Sequence, residues 1–236
     1  TDEFSVDTTA LTMPKSNGLA VDISPFSPEL SPTIVILGSS TAEGIGATDM
    51  NLSWAGLLKA KLTADNKGVN VINLALHGQT TSDIMPSKVT TAFKHNKPNI
   101  KTNITSALLY RPLLVIINLP TNDIAFNFSD EEILDNFATI IGAIDSAKTN
   151  YIITGTQPRN FGRLEDRKRL KVLNDKLNKL YPDHFVDVLR KLSKQTYLIA
   201  DYYAYNDGIH LNDHGHRTIF QYIFNTPLFQ KLIGYD

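Results

Sequence analysis

An α/β domain built on a parallel sheet is predicted by three features of the sequence. From Thr33 onward, short apolar runs alternate with longer amphipathic stretches. The runs are rich in β-branched residues and nearly continuous in hydrophobicity, as strands covered on both faces are. Each pair of runs is separated by a helix-length stretch, the spacing of a βαβ crossover. Such crossovers place helices on both faces of the sheet.

Thr33 to Leu37 (TIVIL), bounded by Pro32 and Gly38, reads as the first buried strand. Ser53 then caps a helix in which Trp54, Leu57, Leu58 and Leu62 recur at helical spacing. Val69 to Leu74 is the second strand, followed by a looser helical region beginning at Ser82 and Asp83, and by a short helix over Asn103 to Tyr110. Leu113 to Leu119 (LLVIINL) is the most apolar run and the candidate central strand. Ser129-Asp130-Glu131-Glu132 combines an N-cap with early acidic residues, which complement a helix dipole. Ile133, Phe137, Ile140, Ile141 and Ile144 continue that helix along one apolar face. Tyr151 to Thr154 is the fourth strand. Leu164 to Tyr181 is a charged surface helix, its basic residues interspersed with acidic ones as on a solvated face. His184 to Val188 is the fifth strand, and the last helix starts near Asn212 or Asp213. Thr1 to Pro32 lacks sustained periodicity and reads as an irregular arm packed on the domain 33–236, with a short edge strand at Gly18 to Ile23.

Composition narrows the function. The 236 residues carry 23 Lys plus Arg against 24 Asp plus Glu, a net charge of −1, so neither nucleic acid nor an anionic membrane surface is an expected partner. The longest apolar run, Leu113 to Ile117, is far short of the ~20 residues of a membrane span. The absence of cysteine excludes disulfides, thiolate nucleophiles and Cys-type zinc sites.

In an open α/β sheet, ligands bind beyond the carboxyl ends of the strands. The segments found there are Gly38-Ser39-Ser40-Thr41, His77-Gly78-Gln79, Thr121-Asn122-Asp123, Gln157-Pro158-Arg159, and Asp207 to His216 near the C-terminus. Together they hold the parts for acyl transfer. A serine becomes a nucleophile when an imidazole takes its proton. A carboxylate fixes the tautomer of that imidazole, and backbone amides at a glycine turn or an asparagine side chain can hold the oxyanion. Residue types alone leave open whether Ser39, Ser40 or Thr41 is the nucleophile.

Four blocks of the chain resemble those of the SGNH (GDSL-type) hydrolases, in the same order. They are Ile36 to Gly44 (ILGSSTAEG), Asn73 to Gly78 (NLALHG), Pro120 to Asp123 (PTND) and Asp207 to Asn212 (DGIHLN). The resemblance implies a three-layer α/β/α, flavodoxin-like domain with a mostly parallel five-stranded sheet. It also implies Ser40 as nucleophile, with the Ser40 amide, the Gly78 amide and the Asn122 side chain as the oxyanion hole. His210 is then the general base and Asp207 its orienting carboxylate, with no metal and no organic cofactor. Two positions depart from the family pattern: Ser39 stands where Asp is usual, and Pro120 where the third block usually begins with Gly. Proline fixes φ and removes an amide donor, so the loop presenting Asn122 is expected to differ in shape.

Ser39, His77, Asp123 and Arg159 adjoin these positions as substrate contacts or supports. Arg159 is placed to meet a carboxylate or a sugar hydroxyl, or to be an ordinary surface arginine. Gly44 and Gly46 match neither dinucleotide nor Walker spacing. His214 and His216, two apart on a helix, do not share a face and make a poor metal pair; His214 is expected to be exposed, and His216 to pack or cap at the helix start. The expected activity is hydrolysis of short-acyl esters, in particular carbohydrate O-acetyl groups. The alternatives are an acyltransferase with a sugar hydroxyl as acceptor and a non-catalytic carbohydrate-binding domain. The resemblance is to bacterial members commonly exported, which implies a periplasmic or extracellular address.

Overall fold

The computed structural model describes residues 31–89 and 95–235. The N-terminal arm and its edge strand lie outside the described residues, apart from Ser31 and Pro32.

Four strands form one parallel sheet: β1 (Thr33–Gly38), β2 (Asn70–Asn73), β3 (Leu114–Asn118) and β4 (Asn150–Ile153). The spatial order is β2-β1-β3-β4. In the central pair, Ile34 lies beside Leu114 and Gly38 beside Asn118. The side chains alternate between two cores, as a pleated strand requires. Val35, Leu37, Val115, Ile117 and Ile153 face one core, and Ile34, Ile36, Leu114, Ile116 and Ile152 the other.

Helices cover both faces, giving three layers. On the first face lie α3 (Ile104–Leu109), α5 (Asp130–Ser146) and α6 (Leu164–Leu180). On the second lie α2 (Trp54–Ala64), α8 (Asp213–Phe224) and α9 (Pro227–Ile233). Three short helices, α1 (Ser40–Glu43), α4 (Thr121–Ala125) and α7 (Leu189–Leu192), follow β1, β3 and the 182–188 segment. The caps expected from sequence are made, Ser53 accepting from Gly56 N–H and Ser129 from Glu132 N–H, and the structure adds two more: Asn103 accepts from Ser106 N–H, and Asn212 from His214 and Gly215 N–H. Each satisfies a donor that the first helical turn leaves without a partner.

Three expectations are corrected. The fifth strand is absent among the described residues: 184–188 touches β4 through a single bridge, Ile153 beside Phe185, before the chain turns into α7. The helical region from Ser82 is a series of turns instead, because Asp83 accepts from Thr80 N–H and Thr80 Oγ1 (2.8 and 2.7 Å) and closes a local loop. The helix at Asp213 is followed by another, α9, started by Thr226 as N-cap and Pro227 at its first position.

Candidate active site

The order of strands reverses between β1 and β3, and the crevice beyond their carboxyl ends is where an α/β sheet leaves room for a ligand. A shallow open cleft lies there, lined by Ser39, Ser40, Asn118, Asn122, Gln157 and Arg159 among others.

Ser40 opens α1 directly after β1, so its amide is among the N–H groups without an intrahelical acceptor. Gly38 lets the strand pass close to its surroundings: a Cβ there would lie 2.7 Å from that of Ala42 and 3.0 Å from the Asn118 carbonyl. His210 arrives from the loop before α8. Its Nε2 stands 2.8 Å from Ser40 Oγ, and its Nδ1 stands 2.6 Å from Asp207 Oδ2. An ionised carboxylate only accepts, so Nδ1 carries the proton and Nε2 is left to accept from the serine hydroxyl. The other oxygen of Asp207 accepts from the Ile209 and His210 N–H groups at 2.8 and 2.9 Å. Burial raises the Asp207 pKa, but these backbone bonds and the His210 ring outweigh it and hold the carboxyl below its ordinary value. Gly46 seats the same loop. At φ +100°, its missing Cβ would lie 2.1 Å from the Leu211 carbonyl oxygen.

Asn122 lies in α4, with both ends of its amide engaged. Nδ2 donates to the Gln79 carbonyl at 3.1 Å, and Oδ1 accepts from Arg159 Nη1 at 3.1 Å. The first bond ties Asn122 to the turn of Gly78, whose φ of +78° glycine adopts without strain. The Leu119–Pro120 peptide is cis, and Pro120 stands at the N-cap of α4. The Gly78 turn is also fastened to α1, since Glu43 accepts from His77 N–H at 2.7 Å and pairs with His77 Nδ1 at 3.0 Å.

The remaining candidates separate by depth. Ser39 and Arg159 share the cleft with Ser40. The His77 ring is exposed on Glu43. Asp123 is wholly buried behind Asn122, where Thr81 donates both its N–H (2.9 Å) and its hydroxyl to Oδ1. Burial raises the Asp123 pKa from 3.8 to about 7, with the Thr81 bonds acting the other way. His216 packs as expected, with Nδ1 accepting from Trp54 N–H at 3.3 Å and Nε2 donating to the Ile45 carbonyl at 3.2 Å. Burial lowers its pKa and keeps the ring neutral. His214 is exposed and stacks on Tyr202. No group of three or more His, Asp or Glu side chains arranged to hold a metal ion occurs among the described residues.

Thr121, in the segment expected beyond β3, donates its hydroxyl to the Gln157 carbonyl at 3.1 Å. Sequence reasoning passed over Asn118, the last residue of β3, which lines the cleft and donates to Thr154 Oγ1 at 2.6 Å. Nothing local signalled Thr48, whose N–H and hydroxyl bond to Asp213 of α8 at 2.8 and 2.7 Å and clamp the loop beside Gly46.

The model of the GDSL-like lipase/acylhydrolase family matches residues 36–218, a span that contains all four sequence blocks and the whole Ser40–His210–Asp207 array. The chain belongs to this family. It is a carboxylic ester hydrolase of the GDSL type. Solved structures agree in fold. The lipase/acylhydrolase from Enterococcus faecalis superposes with a TM-score of 0.64 at 21% identity, over 86% of this chain and 96% of that one. The psychrotrophic esterase EstA from Pseudoalteromonas sp. does so with a TM-score of 0.60 at 19% identity, over 82% and 95%. No curated protein matches the chain.

Proposed function

We propose that this GDSL-type hydrolase is a serine esterase for short-acyl esters, carbohydrate O-acetyl groups foremost, working through an acyl-enzyme. The reading rests on the unbroken hydrogen-bond line from Ser40 Oγ through His210 to Asp207. In this reading Nε2 of His210 takes the Ser40 proton as Oγ attacks the ester carbonyl. The resulting oxyanion is held by the Ser40 and Gly78 amides and by the Asn122 Nδ2 hydrogen not used on Gln79. The imidazolium gives its proton to the leaving alcohol. A water molecule, deprotonated by the same nitrogen, then releases the acid and regenerates Ser40. The short acyl group is supported by the cleft, whose lining is mostly polar and whose aliphatic side chains are Leu119 and Ile209.

The Pseudoalteromonas esterase is described as inhibited by monoethylphosphonate, and a phosphonate probe serves here as well. Wild-type protein should be labelled by a fluorophosphonate and should hydrolyse p-nitrophenyl acetate faster than the decanoate. Ser40→Ala should abolish labelling and lower kcat on the order of 10⁶-fold. Labelling that survives in Ser40→Ala, or faster hydrolysis of the long ester, refutes the reading. Product analysis with an added sugar separates hydrolysis from acyl transfer.

A further inference from the structure

Arg159 is a cation built into the cleft, and among the described residues its guanidinium makes one hydrogen bond. It follows β4 in the loop 154–162, which is fastened to the loop of Asp207 and His210. Asn160 N–H donates to the Gly208 carbonyl at 2.9 Å, and the Gln157 side-chain amide to the Ile209 carbonyl at 3.4 Å. The guanidinium lies 5.1 Å from the centre of the Phe161 ring. It spends one N–H on Asn122 Oδ1. A guanidinium carries five N–H donors in a planar fork.

Its electrostatics are unusual for an arginine. Among the described residues no carboxylate lies within the 4.0 Å of an ion pair with it. Asp207, the charge acting on it across the cleft, is engaged with His210. The group is half-buried, and that burial destabilises its charged form. A partly desolvated cation with no counter-ion among the described residues favours an anion that brings the missing charge. A guanidinium fork is matched to a carboxylate, which it grips through two parallel N–H···O bonds.

We propose that Arg159 forms an anion subsite, so that the preferred ester carries a carboxylate beside the scissile bond. This rests on the Ser40 esterase reading and narrows its substrate class. The carboxylate can sit on the acyl side, as in a hemiester of a dicarboxylic acid, or on the alcohol side, as in an O-acetylated acidic sugar.

Two substrate pairs distinguish the sides. On the acyl side, p-nitrophenyl hemisuccinate is compared with p-nitrophenyl butyrate. On the alcohol side, 3-acetoxybenzoate is compared with its methyl ester. The wild-type enzyme should favour the anionic member of one pair by about tenfold to a hundredfold in kcat/KM, the effect of a charge-assisted hydrogen bond. Arg159→Gln should bring that ratio to near one, through a rise in KM for the anionic ester alone. Arg159→Lys, which keeps the charge but not the fork, should retain part of the preference. Because Arg159 also holds Asn122, its variants are expected to lose kcat on both members, and the ratio within a pair cancels that loss. A wild-type ratio near one in both pairs overturns the proposal. So does an Arg159→Gln variant that loses rate but keeps the ratio, which would make Arg159 a positioning residue for Asn122 only. Either result leaves the Ser40 reading standing. Failure of wild-type protein to cleave any of the four esters would strike that reading instead.

Discussion

Asp207 carries two jobs on its two oxygens, and that division predicts how its variants differ. Oδ2 holds the His210 ring, while Oδ1 receives two backbone N–H groups and shapes the loop. In Asp207→Asn the Oδ1 role is kept, but a side-chain N–H₂ faces Nδ1 and forces the wrong imidazole tautomer. We expect kcat to fall about 10⁴-fold with little change in Tm. Asp207→Ala removes both jobs and should lower Tm as well as kcat. Equal Tm for the two variants would show that Oδ1 does not hold the loop. Gly46 makes a comparable case where it packs against the same loop. Its φ of +100° and its closeness to the Leu211 carbonyl leave no room for a methyl group, so Gly46→Ala should cost more than about 1 kcal/mol and displace His210. Parallel measurements of urea midpoint and kcat test this; an unchanged midpoint contradicts it. The hold of Asp207 on His210 was legible through the resemblance of its block, whereas its grip on the loop backbone was not. What Gly46 does depends on a contact with residue 211, at a separation that no local pattern reveals.

The short helix α4 shows why some elements were harder to read. Asn122 and Asp123 are neighbours, yet one faces the cleft and the other is sealed among Thr81 and Asn136, because adjacent helical positions point apart. The same threonine-rich turn produced the misread helix at Ser82: a serine followed by an aspartate looks like a cap, but Asp83 spends its carboxylate on Thr80. The 184–188 segment alternates like a strand and runs beside β4, but α7 begins at Leu189 and cuts its pairing to one bridge. Long amphipathic helices were legible because their period repeats, and buried strands because they are unbroken apolar runs; turns and helices of three to five residues offer neither signal. The buried Asp123 carries a measurable consequence. The unfolded chain releases this proton near 3.8, whereas burial makes the folded protein hold it to about 7. Between these values the native state binds the extra proton, so stability falls as pH rises, by up to about 1.4 kcal/mol per pH unit from this group. Outside that window the contribution is flat. Asp123→Asn should remove this component, so that its stability relative to wild type improves between pH 4 and pH 7. Urea midpoints of both proteins at pH 4.5, 6 and 8 report the difference; parallel curves would show that Asp123 ionises normally.

At the scale of the molecule, one sheet holds two cores and the cleft together. β1 and β3 contribute alternate residues to both sides, and their carboxyl ends carry Ser40 and Asn122. The sequence blocks named these stations, but their convergence follows from the order β2-β1-β3-β4, which no single block contains. Such sharing predicts that the two faces unfold as one unit, since neither core can be exposed without stripping the strands that bound the other. The single tryptophan makes this testable. Trp54 is fully buried with α2, α8 and α9. Ile140 is fully buried in α5 on the opposite face. Ile140→Ala creates a cavity remote from Trp54 and should cost roughly 2–5 kcal/mol. If the cores are coupled through the sheet, the urea transition seen by Trp54 fluorescence should shift by the same amount as that seen by far-ultraviolet circular dichroism. A fluorescence transition that stays at the wild-type midpoint while the dichroism shifts would mean that the faces unfold separately. In that case the residues at the ends of β1 and β3 would owe their alignment to one face alone.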